Sequence, residues 1–145
     1  RGGRAAGGGR LTRPMVEYLE TSDGITADRL AGGFFDGWPS PPDPERHLAH
    51  LRGAEAVVLA VDPVSGAVVG FITAVGDGGL VAFIPLLEVL PAWRGQGIGR
   101  ELVRRMLERL EDRYAIDLVC DEDRVPLYER LGGTKGRAMM WRNRT

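Results

Sequence analysis

The chain has little of several residue types, and each shortage excludes a class of protein. Cys120 is the only cysteine among 145 residues, so an intrachain disulfide is excluded and a reducing cytoplasm is the expected location. Lys135 is the only lysine and the formal net charge is −1, so neither nucleic acid nor an anionic membrane is expected as a partner. No apolar run approaches the roughly 20 residues that a membrane helix needs, and no secretory signal is visible.

The residues that are present suit a globular domain. Hydrophobic residues make up 43% of the chain and charged residues 27%, which are ordinary values for a soluble protein with one core. The first thirteen residues contain five glycines and four arginines, so residues 1–14 are predicted to be a flexible lead. This lead has no aromatic residues, which disfavours a nucleic-acid-binding arm. Residues 15–145 are predicted to form a single domain.

The hydrophobic pattern predicts the order strand, two helices, three strands, helix, strand, helix, strand. Two Val-rich runs flank the turn Asp-Pro-Val-Ser-Gly and predict a hairpin, and "RAMMWR" (137–142) is the predicted last strand. Hairpins followed by a strand–helix–strand crossover indicate the α/β (α+β) class. The expected architecture is a mixed, mostly antiparallel twisted sheet with about four helices.

The run Arg-Gly-Gln-Gly-Ile-Gly at residues 94–99 lies between a strand and an amphipathic helix. Glycines there allow backbone N–H groups to approach an anion at the helix N-terminus. The nucleotide triphosphatase loop is excluded because the required Lys-Ser or Lys-Thr pair is missing, and the dinucleotide fingerprint fails because Arg100 occupies its third glycine position. A glycine-rich turn without a ligand is the remaining alternative.

The same six residues match [Q/R]-x-x-G-x-[G/A], and here the chain resembles the GNAT superfamily of acetyl-CoA-dependent N-acetyltransferases. The block "VCDEDRVPLYERLGG" (119–133) resembles the C-terminal motif of that superfamily, and is most similar to arylalkylamine-type and related bacterial members. The resemblance covers about residues 16–141 and implies a sheet that is splayed at the cofactor site. It also implies direct transfer from acetyl-CoA to a primary amine, with no metal. The residues it assigns to acetyl-CoA are Val89, Leu90, Arg94, Gly95, Gln96, Gly97, Ile98, Gly99 and Arg100.

The resemblance gives Tyr128 the role of general acid, which protonates the departing thiolate. A phenol with a pKa near 10 stays protonated at neutral pH and can donate a proton to sulfur; a core tyrosine is the alternative. Relatives carry histidines where this chain has Phe83 and Pro85, so Glu88 is the candidate general base. It can also be an exposed or structural carboxylate, since a water chain or an amine that arrives neutral would remove the need for a base.

The acceptor side is expected at Phe34, Asp36 and Trp38, which suit an apolar or aromatic amine, with core packing as the alternative for the phenylalanine. His47 and His50 are predicted to be surface residues rather than metal ligands. Cys120 is predicted to be a buried structural thiol.

The expected function is acetylation of a small-molecule amine. An acceptor that is a protein N-terminus or lysine and a non-catalytic coenzyme A-binding module stay open as alternatives. The oligomeric state also stays open, with a homodimer as one expectation from the resemblance.

Overall fold

The computed structural model describes residues 15–143, so the flexible lead predicted for residues 1–14 lies outside the described residues. This part of the chain forms six strands and three α-helices. The strands are β1 (Glu17–Leu19), β2 (Ala56–Val61), β3 (Val68–Gly76), β4 (Val81–Ile84), β5 (Leu87–Val89) and β6 (Ala115–Leu118). The helices are α1 (Pro44–Gly53), α2 (Ile98–Arg109) and α3 (Val125–Arg130). Three short 3-10 helices are Ala27–Leu30, Pro91–Trp93 and Glu122–Arg124.

The strands form one sheet in the order β1-β2-β3-β4-β6, with β5 paired to β3. Every pairing is antiparallel except that of β4 with β6, which is parallel. The parallel pair needs a crossover connection, and α2 lies in that crossover. The predicted mixed, mostly antiparallel fold is therefore confirmed.

Pro85 divides the strand predicted directly after the hairpin, the fourth of the predicted order, into β4 and β5. Both strands pair with β3, and the Thr73 N–H donates to the Leu86 carbonyl at 3.2 Å where they part. Proline cannot donate to a sheet, so a break at this position is expected. Among the described residues β6 pairs with β4 and β5 pairs with β3 alone. The outer edge of β5 is therefore open just before the chain enters the glycine loop.

Helix α2 is held against the sheet at both ends. Its inward face buries Leu102, Val103 and Met106 almost completely, which is the stripe expected from its 3.6-residue periodicity. Near its N-terminus it packs on Gly70 of β3, where an added Cβ would lie 3.3 Å from side-chain atoms of both Ile98 and Leu102. Near the C-terminus, Arg109 Nη1 donates to the carbonyls of Val57 and Glu20 at 2.7 and 3.1 Å. These contacts fix where the helix begins relative to β5.

Helix α1 is the second of the two helices predicted before the hairpin, and it begins at an aspartate cap followed by a proline. The Asp43 carboxylate accepts the Arg46 N–H at 2.9 Å, and Pro44 occupies the first helical position. The segment predicted as the preceding short helix is the 3-10 helix Ala27–Leu30 rather than an α-helix. Gly24 and Gly33, both with positive φ, turn the chain on either side of it and leave too little length for an α-helix.

The predicted last strand is wrong. Residues 134–142 have no regular structure, and Met139 and Trp141 are 81% and 79% exposed. A strand needs a hydrogen-bonded neighbour and a buried face, and within residues 15–143 this segment has neither.

Among residues 15–143, none of the helices combines the length and the apolarity required to cross a membrane.

Candidate active site

The glycine loop leads directly into the N-terminus of α2. Gly97 precedes the first helical residue and has φ 84°, a left-handed conformation that disfavours residues with a Cβ. The space beside its Cα is open, because an added Cβ would meet nothing within 4 Å. The N–H groups of the first helical turn have no partners within the helix and carry about half a positive charge. Backbone shape, open space and helix dipole therefore fit a phosphate or pyrophosphate group.

The one carboxylate in the first turn of α2 is engaged by arginines of the next turn. Glu101 accepts hydrogen bonds from Arg104 Nε at 3.0 Å and from Arg105 Nε at 2.7 Å. These two guanidinium groups lower the pKa of Glu101 to about 2. Its negative charge is thus compensated locally, and the exposed side chains of Arg94 and Arg100 flank the loop with positive charge.

The two strand residues assigned to acetyl-CoA have different backbone environments. The Leu90 N–H donates to the Val69 carbonyl on β3 at 2.8 Å, and the Leu90 carbonyl accepts the Trp93 N–H at 2.9 Å. N–H groups of successive residues in an antiparallel strand point to alternate sides, so the Val89 N–H points to the open edge of β5. The Val89 carbonyl accepts Arg94 Nε at 2.8 Å.

Val89 also contacts the start of α2. Its Cγ2 atom lies 3.8 Å from where a Cβ of Gly99 would stand. The backbone of Val89 and the N-terminus of the helix are therefore neighbours at the open edge of the sheet.

Tyr128 lies half-buried on α3, which follows β6. Burial raises the pKa of its phenol, and the nearby Cys120 acts in the same direction. The ring therefore stays protonated at neutral pH and can act as a proton donor. Its backbone is also fixed, because the Tyr128 carbonyl accepts the Gly133 N–H at 2.9 Å in a helix-ending turn with Gly132 at φ 96°.

Cys120, predicted to be a buried thiol, is partly exposed. Desolvation raises the pKa of its thiol, and the charges of Asp121, Glu122 and Asp123 raise it further. A thiolate is the nucleophilic form of cysteine, so this environment disfavours a nucleophilic role.

Within residues 15–143, no group of three or more His, Cys, Asp or Glu side chains is arranged to hold a metal ion.

A cavity of about 270 Å³ lies next to β5 and brings several predicted site residues together. Its lining includes the carboxylates of Asp36 and Glu88 and the aromatic ring of Trp38. Arg94 also lines it. The residues that line it are Gly33, Asp36, Trp38, Glu88, Val89, Leu90, Pro91 and Arg94. A cavity of this kind suits a small cationic or aromatic molecule beside the exposed backbone of Val89.

Glu88 makes a contact that its sequence position does not reveal. Its Oε1 accepts the backbone N–H of Phe35 at 3.0 Å, across 53 positions of the chain. The side chain thus points to the face opposite that on which Val89 meets α2, as strand alternation requires. A hydrogen bond between a carboxylate and a distant loop carries no local sequence signal.

Phe34 does not line the cavity that holds Asp36 and Trp38. It is 9% exposed and packs edge-on against His47 and Phe71, with ring centroids 5.1 and 5.2 Å apart. Phe34 instead lines a second cavity of about 150 Å³, which also includes His47.

The prediction that both histidines are surface residues is wrong. His47 is 2% exposed, and burial together with the charge of His50 lowers its pKa to about 4. His50 is partly buried and its Nε2 lies 2.8 Å from the Thr73 hydroxyl. A signal was present, because His47 and Leu51 are four residues apart and therefore share the inward face of α1.

The structure thus combines a mostly antiparallel sheet with a glycine loop that enters a helix beside the open edge of β5. The sequence profile of the Acetyltransferase (GNAT) family matches residues 26–133. This match covers most of the chain, and the chain belongs to the GNAT acetyltransferase family.

Two solved structures are similar over most of their length. A protein of Deinococcus radiodurans R1 assigned as an acetyltransferase is 48% identical, with a TM-score of 0.83 over 88% of each chain. A GNAT-family acetyltransferase of Streptococcus pneumoniae is 29% identical, with a TM-score of 0.71 over 90% of this chain and 100% of that one. Both similarities support the family and the fold.

A curated relative matches over a shorter stretch. GCN5-related N-acetyltransferase 3, chloroplastic, of Arabidopsis thaliana is 40% identical over 76 residues, which are 51% of this chain and 32% of that protein. The chain therefore matches about a third of the length of this relative.

Proposed function

We propose that the protein transfers an acetyl group from acetyl-CoA directly to the primary amine of a small molecule. One observation supports this most strongly: the open backbone edge of β5 at Val89 adjoins the N-terminus of α2 on one face and the cavity with Asp36, Trp38 and Glu88 on the other. A pyrophosphate-bearing donor and an amine acceptor could therefore meet at one strand.

Different residues of this chain would bind different parts of acetyl-CoA. The N–H groups at the start of α2, from Gln96 to Arg100, would bind the pyrophosphate, with charge-assisted contacts from Arg94 and Arg100. The Val89 N–H would bind the thioester carbonyl and stabilise the negative charge that develops on its oxygen. Leu90, which is 8% exposed and has both backbone groups engaged, would form part of the wall rather than donate.

The reaction would proceed in a single complex of donor and acceptor. An amine that arrives protonated first gives its extra proton to water; the neutral nitrogen then forms a bond to the thioester carbonyl carbon and the carbon–sulfur bond breaks. Tyr128 gives its phenolic proton to the departing sulfur and regains one from solvent, while the amine proton passes to water. The products are the acetylated amine and free coenzyme A. Burial of Tyr128 favours this role, since a phenol with a raised pKa remains protonated at the pH of the reaction.

The acceptor is proposed to be a small molecule because the cavity is small and carries two carboxylates with one aromatic ring. Asp36 would attract a protonated amine group and Trp38 would contact its apolar or cationic part. Because the cavity has about 270 Å³, it fits a compact amine better than a folded protein surface.

Thiol release from acetyl-CoA, measured with arylalkylamines, polyamines, aminoglycosides, amino acids and peptides, tests the proposal. Turnover is expected with one class of small amines, and Asp36→Asn should raise the KM for that amine about tenfold without changing the affinity for acetyl-CoA. Asp43→Asn is not a suitable control because Asp43 caps α1; Asp112→Asn, at an exposed position, is the matched control.

Other outcomes would replace the proposal. Turnover confined to peptides would favour a protein acceptor. Tight binding of coenzyme A without turnover on any acceptor would favour a non-catalytic binding module.

A further inference from the structure

The loop that follows the first 3-10 helix is tied to β5 by a side-chain hydrogen bond. Glu88 sits at the centre of β5, and its carboxylate accepts the Phe35 N–H at 3.0 Å. The same loop, residues 33–38, supplies Gly33, Asp36 and Trp38 to the cavity that Glu88 also lines. One hydrogen bond therefore connects the strand proposed to bind the thioester with the loop proposed to bind the acceptor.

Phe35 has an unfavourable backbone conformation that needs support. Its φ is 66°, a left-handed value that is uncommon and strained for a bulky residue. Such a conformation persists only where the surroundings hold it in place. The Glu88 carboxylate holds the Phe35 N–H, and the Phe35 carbonyl accepts the Trp38 N–H at 3.1 Å.

The side chain of Phe35 transmits this constraint to the cavity wall. The ring is 2% exposed and packs edge-on against Trp38 and His47, with centroid distances of 5.0 and 4.8 Å. Trp38 itself is 45% exposed and faces the cavity. A shift of Phe35 would therefore displace Trp38, while the N-terminus of α2 on the other face of β5 makes none of these contacts.

From these contacts we infer that Glu88 is a positioning residue, which holds the 33–38 loop through the Phe35 N–H and thereby sets the geometry of acceptor binding, rather than the base that removes the proton of the amine. The inference rests on the proposed function for its kinetic consequences, whereas the hydrogen bond itself can be tested without turnover. Glu88→Gln separates the two roles, because the amide oxygen of Gln can still accept the Phe35 N–H but cannot take up a proton at neutral pH.

The test compares the native protein with Glu88→Gln, Glu88→Ala and the control Glu111→Ala, which changes an exposed carboxylate beyond α2. Three quantities are measured: kcat and the acceptor KM from pH 5.5 to 9, the affinity for acetyl-CoA by calorimetry, and the hydrogen-exchange rate of the Phe35 amide by NMR. Glu88→Ala should raise the acceptor KM and the Phe35 exchange rate about tenfold each, since one charge-assisted hydrogen bond is lost. Acetyl-CoA affinity should stay within about twofold of the native value.

Glu88→Gln should recover most of what Glu88→Ala loses, both in acceptor KM and in Phe35 protection, with the native shape of the pH profile. The inference is overturned if Glu88→Gln lowers kcat as deeply as Glu88→Ala and abolishes an acidic limb of the profile, because Glu88 would then accept a proton. Equal Phe35 exchange in the native protein and Glu88→Ala would also overturn it.

Should no amine be acetylated, the proposed function fails, and the hydrogen-exchange rate of the Phe35 amide still decides whether Glu88 holds the loop. If Glu88→Ala does not fold, the exchange rate and pH profile of Glu88→Gln decide the question.

Discussion

At the scale of single residues, the conformation of Gly97 is the feature on which the proposed binding of acetyl-CoA depends most directly. Its φ of 84° places the following N–H groups at the start of α2, and no protein atom would meet a Cβ there within 4 Å. Glycine is therefore required by backbone conformation and by the space that a phosphate would use, not by packing within the protein.

Gly97→Ala should weaken the binding of acetyl-CoA about tenfold or more, because a left-handed alanine is strained by about 1 kcal/mol and its methyl group enters the ligand's space. Calorimetric titration of each variant with acetyl-CoA measures the effect. Gly136→Ala is the matched control, since its Cβ would also meet nothing within 4 Å and its φ lies outside the left-handed region. Equal affinities for Gly97→Ala and the native protein would show that the pyrophosphate binds elsewhere.

His47 should make the stability of the protein depend on pH. The folded chain takes up a proton at His47 only near the lowered pKa of about 4, whereas the unfolded chain does so near the usual value of 6.5. Protonation therefore favours the unfolded chain in this interval, and the contribution of His47 is fully present above pH 6.5 and is lost as the pH falls toward 4. The loss amounts to about 3 kcal/mol in the free energy of unfolding.

Urea unfolding of native protein and His47→Phe at pH 7, 6, 5 and 4 tests this prediction. The variant should lose stability less steeply with acid than the native protein, although His50, whose pKa is also lowered by burial, keeps some dependence in both. Parallel curves for the two proteins would show that His47 is not the group responsible.

At the scale of elements, the placement of α2 decides whether its N-terminus meets β5. Gly70 permits this placement, because a Cβ there would stand 3.3 Å from the Glu88 carbonyl and from side-chain atoms of Ile98 and Leu102. Arg109 fixes the other end of the helix through the carbonyls of Val57 and Glu20. Helix position is therefore determined by close packing at one end and by hydrogen bonds at the other.

Gly70→Val should push the N-terminus of α2 away from β5. Overpacking of this kind costs about 1–3 kcal/mol in the free energy of unfolding, and the affinity for acetyl-CoA should fall together with stability. Urea unfolding and calorimetric titration measure the two effects. In the control Gly79→Val, the added Cβ would meet nothing within 4 Å, so both quantities should stay near the native values; a normal acetyl-CoA affinity for folded Gly70→Val would contradict the account.

Several elements could be predicted from the sequence because their signals are local. The cap at Asp43, the hairpin of β2 and β3, the apolar stripe of α2 and the glycine loop are all read from residues close together in the chain. The break between β4 and β5 also has a local cause, since Pro85 lacks the N–H that a sheet requires. What could not be predicted depends on tertiary contacts: the bond of Glu88 to Phe35, the burial of His47 and, within residues 15–143, the lack of a pairing partner for residues 137–142.

At the scale of the whole molecule, the order of strands places the start of α2 and the cavity with Asp36, Trp38 and Glu88 on either side of β5. The pairing of β4 with β6 positions α3 and Tyr128 after the crossover, and the pairing of β5 with β3 leaves the Val89 edge open. The loop of residues 33–38, which is proposed to bind the acceptor, reaches β5 from the opposite face through Glu88. The sequence motifs indicated the family, the glycine loop and Tyr128. The contact between Glu88 and the loop of residues 33–38 became visible only in the structure.

The measurement that tests the central claim most directly is the rate of coenzyme A release by native protein and Tyr128→Phe, with saturating acetyl-CoA and the best amine of the panel. Tyr114→Phe, a change at a ring that is 87% exposed, is the matched control. The account predicts that Tyr128→Phe lowers kcat about 100-fold or more, with acetyl-CoA affinity close to native, because only the proton donor to sulfur is removed. A kcat for Tyr128→Phe equal to that of the native protein and of Tyr114→Phe would contradict the assignment of Tyr128 as the general acid.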